Sequence, residues 1–212
     1  MTTIVVIGGT GFAGSAIVEE ATRRGHHVVS LSRTLPPHAV DGVEYRRGDA
    51  AAAGPLIADA DVVIGALSPR GATAGTLPDT YAVIASQAAD RGARLIVVGG
   101  FGSLRPAVDA PRFAETDAMP PQVLPEAREM LEVLKVLQNT PATLDWVFVS
   151  PAQQFGAYRP AGPARDGYRL GNDVALLNDD GTSTLEASDF ALAILDEVDR
   201  PAHHRDHISV AN

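Results

Sequence analysis

Two hydrophobic periods alternate along the chain. Short, nearly continuous runs of Val, Ile and Leu, such as Ile4-Val5-Val6-Ile7 and Leu95-Ile96-Val97-Val98, are separated by longer stretches whose apolar residues recur every three or four positions. The runs read as strands buried on both faces and the intervening stretches as amphipathic helices. Strands are predicted at about 3–7, 27–31, 43–47, 61–66, 94–99 and 144–149. Helices are predicted from Phe12 to Arg24, Ala50 to Ala58, Leu77 to Arg91 and Gln122 to Asn139, the last carrying Met130, Leu131, Leu134 and Leu137 on one side.

This alternation predicts an α/β fold, a doubly wound parallel sheet of the Rossmann kind with helices on both faces. The pattern lapses twice. Phe101 to Pro125 holds five prolines, and Pro151 to Asp173 is rich in Gly, Pro and Arg; both follow strands, at the edge where open α/β sheets bind ligands. Further on, Asn178-Asp179-Asp180-Gly181 reads as a tight turn between short strands. Ser188 or Asp189 reads as the cap of a helix running to about Val198, and His207 to Val210 as a last strand. The expectation is one domain over 1–212, with about 151–212 contributing a small substrate-side lobe.

Composition narrows the chemistry. The 212 residues include no cysteine, so disulfides, thiolate nucleophiles and Cys-ligated metals are excluded. The apolar runs are too short to cross a bilayer and no basic leader opens the chain, which predicts a soluble, cytoplasmic protein without membrane partners. Residues 1 to 106 carry nine Arg and nine acids, whereas 107 to 212 carry eight basic residues and 17 acids. An acidic surface without a basic stripe argues against nucleic acid. His203, His204 and His207 lack an organised carboxylate partner in the sequence, so no metal site is expected.

The strongest local signal is Gly8-Gly9-Thr10-Gly11-Phe12-Ala13-Gly14, directly after the first strand and opening the first helix. Glycines in this register allow a sharp turn, close approach of backbone to a pyrophosphate and tight helix–strand packing. The helix N-terminus adds free N–H groups and partial positive charge. The second strand ends in Ser32-Arg33, about 20 residues after the loop, where an adenosine ribose would be read. An acidic residue there would favour NAD; the guanidinium of Arg33 favours the 2′-phosphate of NADP(H). Asp49 follows the third strand as an acceptor for the adenine amino group, and Ala66-Leu67-Ser68 follows the fourth as a wall of small residues.

At these residues the chain resembles the atypical branch of the short-chain dehydrogenase/reductase superfamily, in its NAD(P)H-binding, NADH–flavin-reductase-like (biliverdin reductase B-like) subgroup. The resemblance covers essentially the whole chain, and its more specific motifs are Val98-Gly99-Gly100-Phe101-Gly102-Ser103-Leu104 and Leu144-Asp145-Trp146 through Ser150-Pro151-Ala152. It implies that Gly99, Gly100, Pro151 and Ala152 line the nicotinamide end. It also implies that Ser103, near the superfamily's catalytic serine, hydrogen-bonds a substrate acceptor atom. Catalytic members of the superfamily use a Tyr-x-x-x-Lys pair. Here Lys135 is the only lysine and Leu131 stands four residues before it, so that pair is absent. Tyr81, Tyr158 and Tyr168 have no spacing that argues for the role, and each reads as a partly exposed aromatic.

The expected activity is therefore NADPH-dependent hydride transfer to a small-molecule acceptor that needs little help with protonation, such as FMN or another flavin, a quinone or a conjugated carbonyl. Loss of the pair also fits a non-catalytic NADP(H)-binding redox sensor. The loop from Gly156 to Arg169, with Arg159 and Arg165, is expected to cover the pocket, and the protein to be a monomer or homodimer.

Overall fold

The computed structural model describes residues 1–160, 162 and 167–212. Its elements follow in the order β1 (Thr3–Ile7), α1 (Phe12–Arg23), β2 (His27–Ser32), β3 (Val43–Arg47), α2 (Gly54–Ile57), β4 (Val62–Gly65), α3 (Leu77–Arg91), β5 (Arg94–Val98), α4 (Leu124–Gln138), β6 (Trp146–Pro151), β7 (Arg169–Gly171), α5 (Ala187–Asp199) and β8 (Asp206–Ala211). They build one sheet of order β3-β2-β1-β4-β5-β6-β8-β7. All pairs are parallel except β7 with β8. From β1 the chain winds outward through β2 and β3, then crosses back to β4 on the other side of β1, so the order reverses between β1 and β4. That reversal opens a crevice at the carboxyl ends of the strands.

Alternate residues of each strand enter two separate cores. Val5 and Ile7 pack with Val63, Leu95, Val97 and Phe148 under α3 and α4. Ile4 and Val6 pack with Ile64, Ile96, Val98 and Val147 under α1 and α5. Two buried faces are the physical reason the strands read as unbroken apolar runs.

Several boundaries differ from the sequence expectation for local reasons. The helix expected over Ala50 to Ala58 is a 3₁₀ turn, Ala50–Ala52, followed by the single turn of α2, whose second residue is Pro55. Proline lacks the N–H needed to continue a helix through it. The region 178–181 does turn, with Asn178 and Thr182 joined through their backbones, but no strands flank it. Neither Ser188 nor Asp189 caps α5, which starts at Ala187 after Glu186. Instead Asn212 ties this end down, its Oδ1 accepting from the Glu186 N–H at 3.0 Å and its Nδ2 donating to Asp189 at 2.8 Å. The C-terminal third is not a separate lobe, because α5 and β8 complete the second core.

Candidate functional site

A cleft of about 440 Å³ lies over the β1/β4 reversal. One wall is the phosphate-loop segment Gly8, Thr10 and Gly11; the next is Ser32, Arg33 and Thr34 after β2, with Asp49 after β3; the third is Ala66, Leu67 and Ser68 after β4. Nine of the residues expected at the cofactor thus meet in one cavity.

The loop owes its shape to close backbone contacts. Gly8 has φ +89°, and a Cβ there would stand 2.5 Å from the Ala66 carbonyl oxygen, so the loop touches the β4 side with no room for a side chain. Gly14, in the first turn of α1, packs against the Gly8 carbonyl so tightly that a Cβ would overlap it. Phe12 and Ala13 share that turn and stand behind the cleft instead of lining it. No side chain caps α1, which leaves its first N–H groups for an anion. Ser32 braces the loop, its Oγ accepting from the Thr10 N–H at 3.2 Å. The exposed Arg33 borders the far end of the cleft. Asp49 lines it too, with Oδ1 engaged by the Ala51 N–H at 2.9 Å.

Tyr81 is fully buried, contrary to the expectation of partial exposure, and its hydroxyl accepts from the Leu67 N–H at 3.4 Å. Burial raises its pKa well above the ordinary phenol value. The ring lies so close beneath Gly65 that a Cβ there would be 2.5 Å away. Tyr81 therefore supports the Ala66–Leu67 wall from below. Tyr168 donates to Asp196 at 2.6 Å, and Tyr158 is exposed with its hydroxyl on the Gln153 carbonyl at 3.2 Å.

Other expected residues fall outside the cleft. Gly99 and Gly100 follow β5, Pro151 ends β6 and Ala152 follows it, further along the same carboxyl edge. Ser103 has no exposed surface and closes a 3₁₀ turn, Phe101–Ser103, so its hydroxyl does not face the cleft. Arg159 donates to the Gln154 carbonyl and Arg169 to Asn178 and the Asn212 carbonyl, so neither reaches the cleft; Arg165 lies outside the described residues. Neither irregular stretch encloses the cleft as expected, since none of its described residues contributes lining.

Sequence reasoning missed the segment after Ser68. Arg70, Thr73, Thr76 and Thr80 line the cleft, Arg70 held by Glu126 at 2.8 Å and Thr73 folding back on the Ser68 carbonyl at 2.6 Å. The recurrence of threonine at 73, 76 and 80, one side of an incipient helix, was the available signal.

A family model described as NAD(P)H-binding matches residues 8–198. The uncharacterised YwnB protein of Bacillus subtilis (strain 168) is 33% identical, the match covering 99% of this chain and 98% of that one. A crystal structure from Streptococcus pneumoniae TIGR4, described provisionally as an NADH-flavin reductase, superposes with TM-score 0.88 at 29% identity over the full length of both chains. One from Bacteroides thetaiotaomicron, described provisionally as an epimerase, gives 0.87 at 28% identity, covering 99% of this chain and 96% of that one. These neighbours bear different reaction names on one fold, so the fold alone does not fix the chemistry.

Proposed function

Because the chain belongs to the NAD(P)H-binding family, we propose that it is an NADPH-dependent oxidoreductase that passes hydride to a flavin, quinone or conjugated carbonyl. The observation that carries the reading is the cleft itself, with a side-chain-free phosphate loop on one wall and the guanidinium of Arg33 at the other end. The spacing suits a dinucleotide whose pyrophosphate rests on the α1 N-terminus and whose 2′-phosphate meets Arg33. When bound, the nicotinamide supplies the hydride.

The acceptor class follows from what lines the cleft. Among the described lining residues the ionisable side chains are Arg33, Asp49 and Arg70, with no tyrosine, histidine or lysine. Lys135 sits on the exposed side of α4, paired with Glu132 at 2.8 Å. A flavin or quinone can take its proton from solvent after hydride arrives, so positioning supplies most of the rate and a missing acid is tolerated. The reductase description of the Streptococcus pneumoniae neighbour supports the same reading.

The test is NADPH oxidation by purified protein with FMN, riboflavin and a panel of quinones. Turnover with at least one acceptor is expected. Tight NADPH binding without turnover on any of them would replace the enzyme with an NADP(H)-binding sensor.

A further inference from the structure

Beside the cleft the carboxyl edge holds a second polar construction, and it is almost entirely buried. Asp173 Oδ2 accepts from Arg112 and from Arg105, each at 2.9 Å. Arg112 also donates to the Ser103 carbonyl and reaches His207 Nδ1 at 3.1 Å. His207 Nε2 lies 2.8 Å from Ser150 Oγ, and Ser150 donates to the Gly100 carbonyl at 3.0 Å. Ser150, His207 and Arg112 are 0%, 5% and 8% exposed.

The proton directions are determined. Arginine only donates, so His207 Nδ1 accepts, and the proton of a neutral imidazole must sit on Nε2. Nε2–H then donates to Ser150 Oγ, and the serine proton goes to Gly100. Neutrality follows from the surroundings: burial first, then the Arg112 charge, bring the His207 pKa down to about 3. The groups facing the ring are Arg112, Ser150 and the edge of Phe148, with Asp173 and Arg105 behind Arg112.

The relay ends on the segment directly after β5. The Gly100 carbonyl takes both Ser150 and the Ser103 N–H, while Arg112 holds the Ser103 carbonyl, so both ends of the Phe101–Ser103 turn are fixed by side chains from β6, β8 and the 104–123 excursion. β5 and β6 lie next along the edge from the β4 wall of the cleft, where a nicotinamide would extend past Ala66–Leu67. Burying this many polar groups is a poor way to gain stability, and a core of apolar residues would hold the strands as well.

We propose that Ser150 and His207 are positioning residues for hydride transfer, acting through the Gly100 carbonyl to set the turn against which the nicotinamide ring is held. This rests on the oxidoreductase reading above. It assigns the residues no contact with cofactor or acceptor and no proton transfer.

Four proteins test it: wild type, Ser150→Ala, His207→Leu and His207→Gln. The Gln amide can accept from Arg112 and donate to Ser150, as the imidazole does, whereas Leu does neither. Ser150→Ala and His207→Leu are expected to lower kcat about tenfold or more while the NADPH Kd stays within about threefold, because the phosphates bind elsewhere. The primary isotope effect with 4-deuterated NADPH should rise, and His207→Gln should recover most of the rate. The emission of bound NADPH, which reports the nicotinamide surroundings without any acceptor, should shift in the Ala and Leu variants and return in the Gln variant. An unchanged kcat and emission, equal losses in kcat and Kd, or a Gln variant no better than Leu would overturn the proposal. Should Ser150→Ala not fold, the His207 pair decides alone. A wild type without turnover refutes the enzyme reading, while the emission series still decides whether the relay sets the ring.

Discussion

The phosphate loop and the buried relay occupy neighbouring stretches of one sheet edge and are made of opposite materials. The loop works by exclusion: Gly8 and Gly14 are needed because a Cβ on either would overlap a carbonyl oxygen, and the binding groups are backbone N–H donors and the end of α1. The relay is built of side chains, five polar groups drawn from positions 105 to 207 and converging on two carbonyls of one turn. A site made of backbone holds the part of a ligand common to all its relatives, the pyrophosphate. Side chains can be changed one at a time, and they suit the end where acceptors differ.

The most severe way to break this contrast is to put a single methyl group into the loop. Gly14→Ala places a Cβ on the Gly8 carbonyl and must push α1 off β1, carrying the phosphate-binding N–H groups with it. NADPH affinity should fall at least about a hundredfold, roughly 3 kcal/mol by the usual conversion. Fluorescence titration measures it, and an affinity within a factor of three of wild type would mean the loop does not carry the phosphates.

A smaller effect separates charge from backbone on the cleft side. Arg33 is exposed and makes no contribution to the core, so Arg33→Ala should leave thermal stability within about 0.5 kcal/mol. NADPH binding should weaken about tenfold, the order expected for one exposed guanidinium–phosphate pair, and NADH binding should not change. Equal weakening of both dinucleotides would show that Arg33 contacts the common part of the cofactor and that the 2′-phosphate preference is misassigned.

The contrast also explains which parts were legible in the sequence. The loop is contiguous, its glycines stand in a fixed register and it follows a strand, so Gly8 to Gly14 could be placed before any coordinates. Arg33 was legible because a fixed count from the loop leads to the end of β2. The relay gives no such sign: Arg112 sits among prolines, His207 reads as a strand residue near two other histidines, and only folding brings them within 3.1 Å. Ser103 was placed by family resemblance and lies next to the right turn, yet the turn presents its carbonyl to Arg112 and encloses its hydroxyl. The two irregular stretches misled for a related reason. Their arginines looked like a cover for the cleft, but Arg105 and Arg112 turn to Asp173, and Arg159 and Arg169 to local carbonyl groups.

The mildest experiment sharpens the relay side through its protonation state. A histidine whose pKa falls from 6.5 unfolded to about 3 folded is neutral in the native protein, and the unfolded chain takes up its proton first. His207 therefore contributes its full share of stability above about pH 6.5, and that share is lost as pH falls toward 3. Near pH 6 the loss relative to pH 7.5 is about 1 kcal/mol, before most carboxylates titrate. Asp173 adds to the decline only at lower pH: burial raises its pKa, but the hydrogen bond from Arg105 and the Arg112 and Arg105 charges outweigh that and leave it below the usual carboxylate value. Replacing His207 by Gln removes the titrating group while keeping a donor and an acceptor, so denaturant unfolding between pH 7.5 and 5.5 should show a flatter acid limb than wild type. Parallel limbs would mean that His207 is protonated in the native protein. Arg112 would then face a second cation, Nδ1 would be unable to accept from it, and the direction of the whole relay toward Gly100 would be undone.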